Sequence, residues 1–199
     1  MTMHNEITIP ITTCRQKETT SAADFLPTFS PKLYLPEDLI NLSGTRAMEN
    51  DDLYAMHVVA HWIESFVGKP HKKIGRTGAV CPFVPLGPRN KSIWLASEKV
   101  AKQEPSEFLR QITRYKKLLL KKQPLDDDSI YKSIIVVLTD VPADEAKAIL
   151  AQVLEEIAVS TYVEEGQLLG SFYATNDGGA LYNSSFRPFR APVPFLLIR

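Results

Sequence analysis

KSIIVVLT, residues 132–139, decides the fold class. Five consecutive apolar residues, four of them β-branched, fit a short strand buried on both faces better than a half-solvated strand, which would alternate polar and apolar. A strand buried on both sides needs partners on either edge and cover above and below. The flanking sequence supplies candidates for both. Before it, SIWLAS (92–97) reads as a strand, and EPSEFLRQITRYKKLLLKK (104–122) as a helix with Phe108, Ile112, Tyr115 and Leu119 along one stripe. After it, PADEAKAILAQVLEEIAVSTY (142–162) predicts a second helix with Ala146, Ile149, Val153 and Ile157 facing inward and Pro142 near its start. QLLGSFYA (167–174) and PVPFLLIR (192–199) predict two closing strands. The order strand, helix, strand, helix, strand, strand implies an α+β class: a ferredoxin-like layered sheet with helices mainly on one face.

Upstream, DDLYAMHVVAHWIESFVG (51–68) places Leu53, Met56, Ala60, Ile63 and Val67 at helical spacing, with Asn50 or Asp51 able to cap and Gly68 able to end the helix. LPEDLINL (35–42) offers a one- or two-turn helix with Pro36 in its first turn. Residues 1–30 show no sustained period and read as a flexible leader before a single α+β domain over 31–199. With 199 residues, 44% of them hydrophobic, the chain is long enough for one substantial core. The 23 basic and 23 acidic residues balance, so no global charge draws the protein to nucleic acid or to a membrane. Two cysteines, Cys14 and Cys81, cannot build a disulfide scaffold, and MTMHNEITIP lacks the features of a signal peptide, so the chain reads as cytoplasmic.

The segment 68–91, GKPHKKIGRTGAVCPFVPLGPRNK, differs from the rest. Its four glycines and four prolines interrupt regular structure, leaving a long ordered loop with a short extended piece near Ala79 to Val84. Lys69, Lys72, Lys73, Arg76, Arg89 and Lys91 surround Cys81 with no intervening acid, a local field that favours thiolate. Gly75 and Gly78 permit unusual backbone angles that would hold Arg76 and Cys81 in place. His71 is a candidate base or alternative ligand beside Cys81. The competing reading makes Cys81 a small apolar packing residue and His71 a solvated loop side chain.

Other constellations are weaker. His57 and His61 share a helix face with Glu64, but HVVAH lacks the glutamate of HExxH and no third ligand is evident, so no metal is expected. Arg110, Arg114, Lys117 and Lys121, with Lys116 and Lys122, form a basic helix face, partly neutralised by Asp126, Asp127 and Asp128. GRTG spells the GXXG of KH loops, yet CPFVPLGP cannot continue as the required helix, and nucleic acid is not the expected partner. LYNSSFRPFRAPVP (181–194) sets Asn183, Arg187 and Arg190 among Phe186 and Phe189, a lining for an anionic ligand or a stiff lead into the last strand.

Two blocks carry a family resemblance. Gly75, Arg76, Gly78, Val80, Cys81, Pro82 and Phe83 match a GR-x-G-x-VCPF pattern, with His71 where a histidine often precedes it. Phe186, Arg187, Pro188, Arg190, Pro192, Val193, Pro194 and Arg199 match an F-RP-x-R-x-PVP-x-L-x-IR pattern. Together they resemble the bacterial domain-of-unknown-function family 6875 over about residues 50–199. Relatives place a histidine where this chain has Tyr173, after Phe172. The resemblance implies a domain and no established activity.

Both unusual segments are therefore expected around one pocket. The leading expectation is a small-molecule biosynthetic or metabolic enzyme, redox or haem-dependent, with Cys81 as nucleophile or axial ligand and His71 as acid/base or alternative ligand. Arg76, Arg187 and Arg190 would hold the carboxylates of an anionic small molecule, in a frame set by Gly75, Gly78 and Asn183. The alternative is a non-catalytic binding module for an anionic ligand or partner. Oligomeric state leaves no sequence signal.

Overall fold

The structure is a computed structural model that describes residues 30–42 and 50–199. The expected leader up to residue 29, with Cys14, lies outside the described residues. In chain order the regular elements are α1 (Pro36–Ile40), α2 (Asp51–Trp62), β1 (Ile93–Glu98), α3 (Pro105–Lys121), β2 (Ser133–Leu138), α4 (Ala146–Glu165), β3 (Leu169–Phe172) and β4 (Phe195–Ile198). Residues Pro31–Arg199 belong to one compact unit. No described helix is long and apolar enough to cross a membrane.

Every residue of β2 is buried, and the strand sits inside the sheet, between β1 and β4, where both of its faces are covered. It pairs parallel with β1, Leu95 opposite Ile135, and antiparallel with β4, Val137 opposite Phe195. β3 pairs antiparallel with β4 and forms one edge of the sheet, its four residues only half-buried. The opposite edge, β1, exchanges two backbone hydrogen bonds with Tyr34 at Leu95. The fold is α+β. Its strand order, β1-β2-β4-β3, keeps the parallel pair side by side, whereas a split βαβ unit of ferredoxin-like type has a strand between them. The difference arises because β4 enters on the far side of β2, next to β3.

Alternation along the strands directs each residue to one helix layer. Ile93, Leu95, Ile135, Val137 and Phe195 pack with Leu39 of α1 and Met56, Val59, Ala60 and Ile63 of the α2 segment. The other face lies under α3 and α4, whose side chains Phe108, Ile112, Tyr115, Leu119, Leu150 and Val153 are buried. Two of the long helices thus share a face, as expected, while α2 covers the other. The four-residue seam of α3 is buried throughout. In α4 the buried stripe is Ala146, Leu150, Val153 and Thr161, with Ile149 and Ile157 half-buried at its flank.

Helix ends follow their local chemistry. Asn50 accepts the Leu53 N–H and caps α2, and Pro36 and Pro105 occupy the first turns of α1 and α3. The basic face of α3 is smaller than its spelling implies. Lys116 is buried, donating to Thr161 Oγ1 and Glu165 Oε1 at 2.7 Å each, so it ties α3 to α4. Arg110 pairs with Glu107, and Lys122 lies 5.0 Å over the Trp94 ring.

One buried pair on this face predicts a pH effect. The Tyr115 hydroxyl donates to Glu98 Oε1 at 2.6 Å. Burial raises the Glu98 carboxyl above its ordinary value of 4.5, and the hydrogen bond from Tyr115 offsets this only partly. A carboxyl raised in the folded state binds its proton more tightly than in the unfolded chain. Its stabilising contribution is therefore complete below pH 4.5 and is lost as pH rises through the raised value. Glu98→Gln, which keeps an acceptor for Tyr115, is expected to flatten the decline in melting temperature between pH 4.5 and that raised value. Parallel wild-type and mutant melting curves across the range would rule this out.

Candidate functional site

The candidate site arises where a helix layer stops short of the sheet it covers. The α2 helix widens into a π turn over Ile63–Val67 and ends at Gly68. Beyond that point the sheet face bearing Ser133, Ile135, Gly170 and Leu197 is roofed by the 68–91 loop and the 174–190 segment. Two of these floor residues, Ser133 and Gly170, are small. Between floor and roof lies a cavity of about 680 Å³.

Its walls are mostly apolar. Trp62 meets Phe172 and Phe195 edge-on, with ring centroids 6.1 and 5.9 Å away, and Phe172 stacks on Phe195 at 4.5 Å. Val80 to Val84 pass along the roof, and the exposed Leu181 and Tyr182 stand at the rim. The charged lining residues are Arg76 and Arg199, with no acid among them. Among the described residues, no group of three or more His, Cys, Asp and Glu is placed to hold a metal.

The roof is tied down by backbone pairing. Cys81 N–H donates to the Val67 carbonyl and Val80 N–H to the Lys69 carbonyl, both at 2.9 Å, so the Val80-Cys81 step is zipped onto the end of the α2 segment. Instead of an extended piece from Ala79 to Val84, the loop makes one isolated bridge, Pro70 to Ala79, followed by turns. Pro82, Pro85 and Pro88 lack the donors a strand would need. Cys81 is half-buried, its thiol free, on the cavity wall. Arg76 also lines the cavity, but its two terminal nitrogens donate to the Thr77 and Val80 carbonyls at 2.9 Å. It acts as an internal clasp of the loop.

The two unusual segments do meet. His71 stacks on Phe186, centroids 4.6 Å apart and planes 16° from parallel, and its Nδ1 accepts from Lys73 N–H. Asn183 Nδ2 donates to the Lys73 carbonyl at 2.7 Å while its Oδ1 accepts from Ser185. Ile74, Val80 and Phe186 form a small core of their own. Gly75, at φ 81°, lies so close to Tyr182 that no side chain fits between them, and Gly78, at φ 90°, lets the loop turn beside Arg76.

Of the residues expected around one pocket, Cys81 and Arg76 line the cavity. His71, Gly75, Gly78 and Asn183 are outside its lining; His71, Gly75 and Asn183 hold the two segments together, and Gly78 shapes the loop beside Arg76. Arg187 and Arg190 are also outside it. Arg187 donates to the Ser184 carbonyl, and Arg190 donates to the Asn176 carbonyl at 3.1 Å and pairs with Asp177 at 3.6 Å. Nearby carbonyls and an acid have claimed both guanidiniums.

Sequence reading gave no role to Trp62, Tyr131, Leu169 or Arg199, all of which line the cavity. For Arg199 a signal existed: alternation through Phe195 and Leu197 puts it on the same face of the sheet. Its guanidinium carbon lies 3.5 Å from the Phe83 ring centroid, and its backbone pairs with Leu168.

A family model described as "Domain of unknown function (DUF6875)" matches residues 56–199, which include the whole cavity lining. No curated protein and no solved structure matches the chain.

Proposed function

The chain belongs to the DUF6875 family, whose description carries no activity, and we propose that its function is to bind a small, largely apolar, ring-bearing organic molecule in the cavity beneath the 68–91 loop. The observation that carries this reading is the cavity itself. About 680 Å³ is ample for a small ligand, and sites of this kind combine apolar walls with a few fixed polar groups. Both sequence blocks of the family resemblance contribute to its walls or fasten its roof.

The test uses anilinonaphthalenesulfonate, an aromatic anion that brightens in apolar surroundings. Trp62 stands in the cavity wall, so a dye bound there should quench tryptophan emission by energy transfer. Saturable binding of one dye per chain is expected. Leu197→Trp, which fills the floor, should weaken it about tenfold or more. Unchanged dye affinity in that variant would remove the cavity from the account.

A second reading rests on the Cys81 thiol at the wall, which favours an enzyme over a passive binder. In that reading Cys81 is nucleophile or, with haem, axial ligand, and a bound molecule lies beside it. His71, outside the lining, would serve by holding the loop. A haem-binding chain should develop a shifted Soret band on addition of haemin, and Cys81→Ser should abolish that shift while leaving dye binding intact.

A further inference from the structure

Arg199 combines three features. It is half-buried at the wall of an apolar cavity, its guanidinium lies against the Phe83 ring, and no ion pair among the described residues involves it. A guanidinium drawn partly out of water in apolar surroundings is costly unless a counter-charge or an aromatic face compensates. Phe83 supplies the aromatic face, and no Asp or Glu side chain among the lining residues supplies the charge. The two backbone hydrogen bonds between Arg199 and Leu168 extend the β3–β4 ladder by one residue pair, so the side chain departs from a fixed backbone. Arg76 lacks this availability, because both of its terminal nitrogens already serve loop carbonyls.

We infer that Arg199 is the anion anchor of the cavity and that the ligand is an aromatic carboxylate, its acid group on Arg199 and its ring against the wall that Trp62 and Phe172 present to the cavity. A planar guanidinium matches the two oxygens of a carboxylate. One uncommitted guanidinium in an apolar chamber suits a monoanion better than a phosphate, which would call for more donors. The inference rests on the cavity being a ligand site.

The experiment compares naphthoate with naphthylmethanol, equal in ring and different in charge, by quenching of tryptophan emission in the full chain. Wild type is expected to bind naphthoate about tenfold more tightly than the alcohol. Arg199→Gln should bind the two alike, with alcohol affinity unchanged, and Arg199→Lys should keep a preference reduced severalfold. Wild type binding both equally, or Arg199→Gln retaining the preference, overturns the anchor while leaving the cavity reading in place. Failure of wild type to bind either compound overturns the cavity reading and the anchor together. Should thermal melts show Arg199→Gln unfolded, Arg199→Lys decides: a reduced preference supports the anchor and an undiminished one overturns it.

Discussion

Phe195→Ala is expected to lower the unfolding free energy by about 3–5 kcal/mol, the range for deleting a buried aromatic ring. Phe195 is 2% exposed and belongs to β4, an interior strand, where it faces Val137 on β2 and Phe172 on β3. Its ring stacks on Phe172 and receives Trp62 edge-on, contacts that add to the loss of buried area. The cost should fall high in the range. Sites that can collapse soften a deletion, but the space left by this ring adjoins a cavity already about 680 Å³ in size. For a chain of this length the melting temperature should drop by roughly 10 °C or more. Denaturant unfolding of the two proteins gives the free energy directly. A loss below about 1 kcal/mol, far outside what such deletions cost, would mean that the Phe195 ring is not packed against Phe172 and Trp62.

What the sequence revealed depended on whether a physical rule acts locally. The helix at 105–121 was legible because its apolar residues keep one period and its opposite face is polar. β2 was legible because an uninterrupted β-branched run suits only the interior of a sheet. In α4 the period was ambiguous. Val159, Tyr162 and Val163 are apolar yet exposed, so the pattern there does not select a face, and the buried stripe passes through Leu150 and Thr161 rather than Ile149. The site divides along the same line. Glycine and proline density marked the 68–91 loop, and Cys81 and Arg76 stand on the cavity wall. Which arginines reach a cavity depends on competitors nearby in space, and the Ser184 and Asn176 carbonyls that hold Arg187 and Arg190 carry no spelling of their own. The same is true of the Asn183 bond to Lys73, which joins residues more than a hundred positions apart.

That long-range join gives the second large effect. Gly75→Ala should destabilise the domain by about 2–3 kcal/mol, combining left-handed backbone strain with a steric conflict. The strain arises at φ 81°, where a Cβ is unfavourable. The conflict is with Tyr182: an added Cβ would lie 2.8 Å from its Cβ and 2.8 Å from its backbone oxygen, and a backbone atom cannot swing aside as a side-chain tip can. To make room, the 182–186 segment must lift from the loop, stretching the Asn183 to Lys73 bond and unstacking His71 from Phe186. Gly166→Ala isolates the strain part. Gly166 has φ 66° but no atom within 4 Å of the added Cβ, so that variant should lose only about 1 kcal/mol, the strain alone. Gly75→Ala should also open residues 70–85 to limited proteolysis and weaken dye binding in the cavity, whereas Gly166→Ala should do neither. Equal losses in the two variants, with no new cleavage near Gly75, would show that the contact with Tyr182 does not fasten the roof.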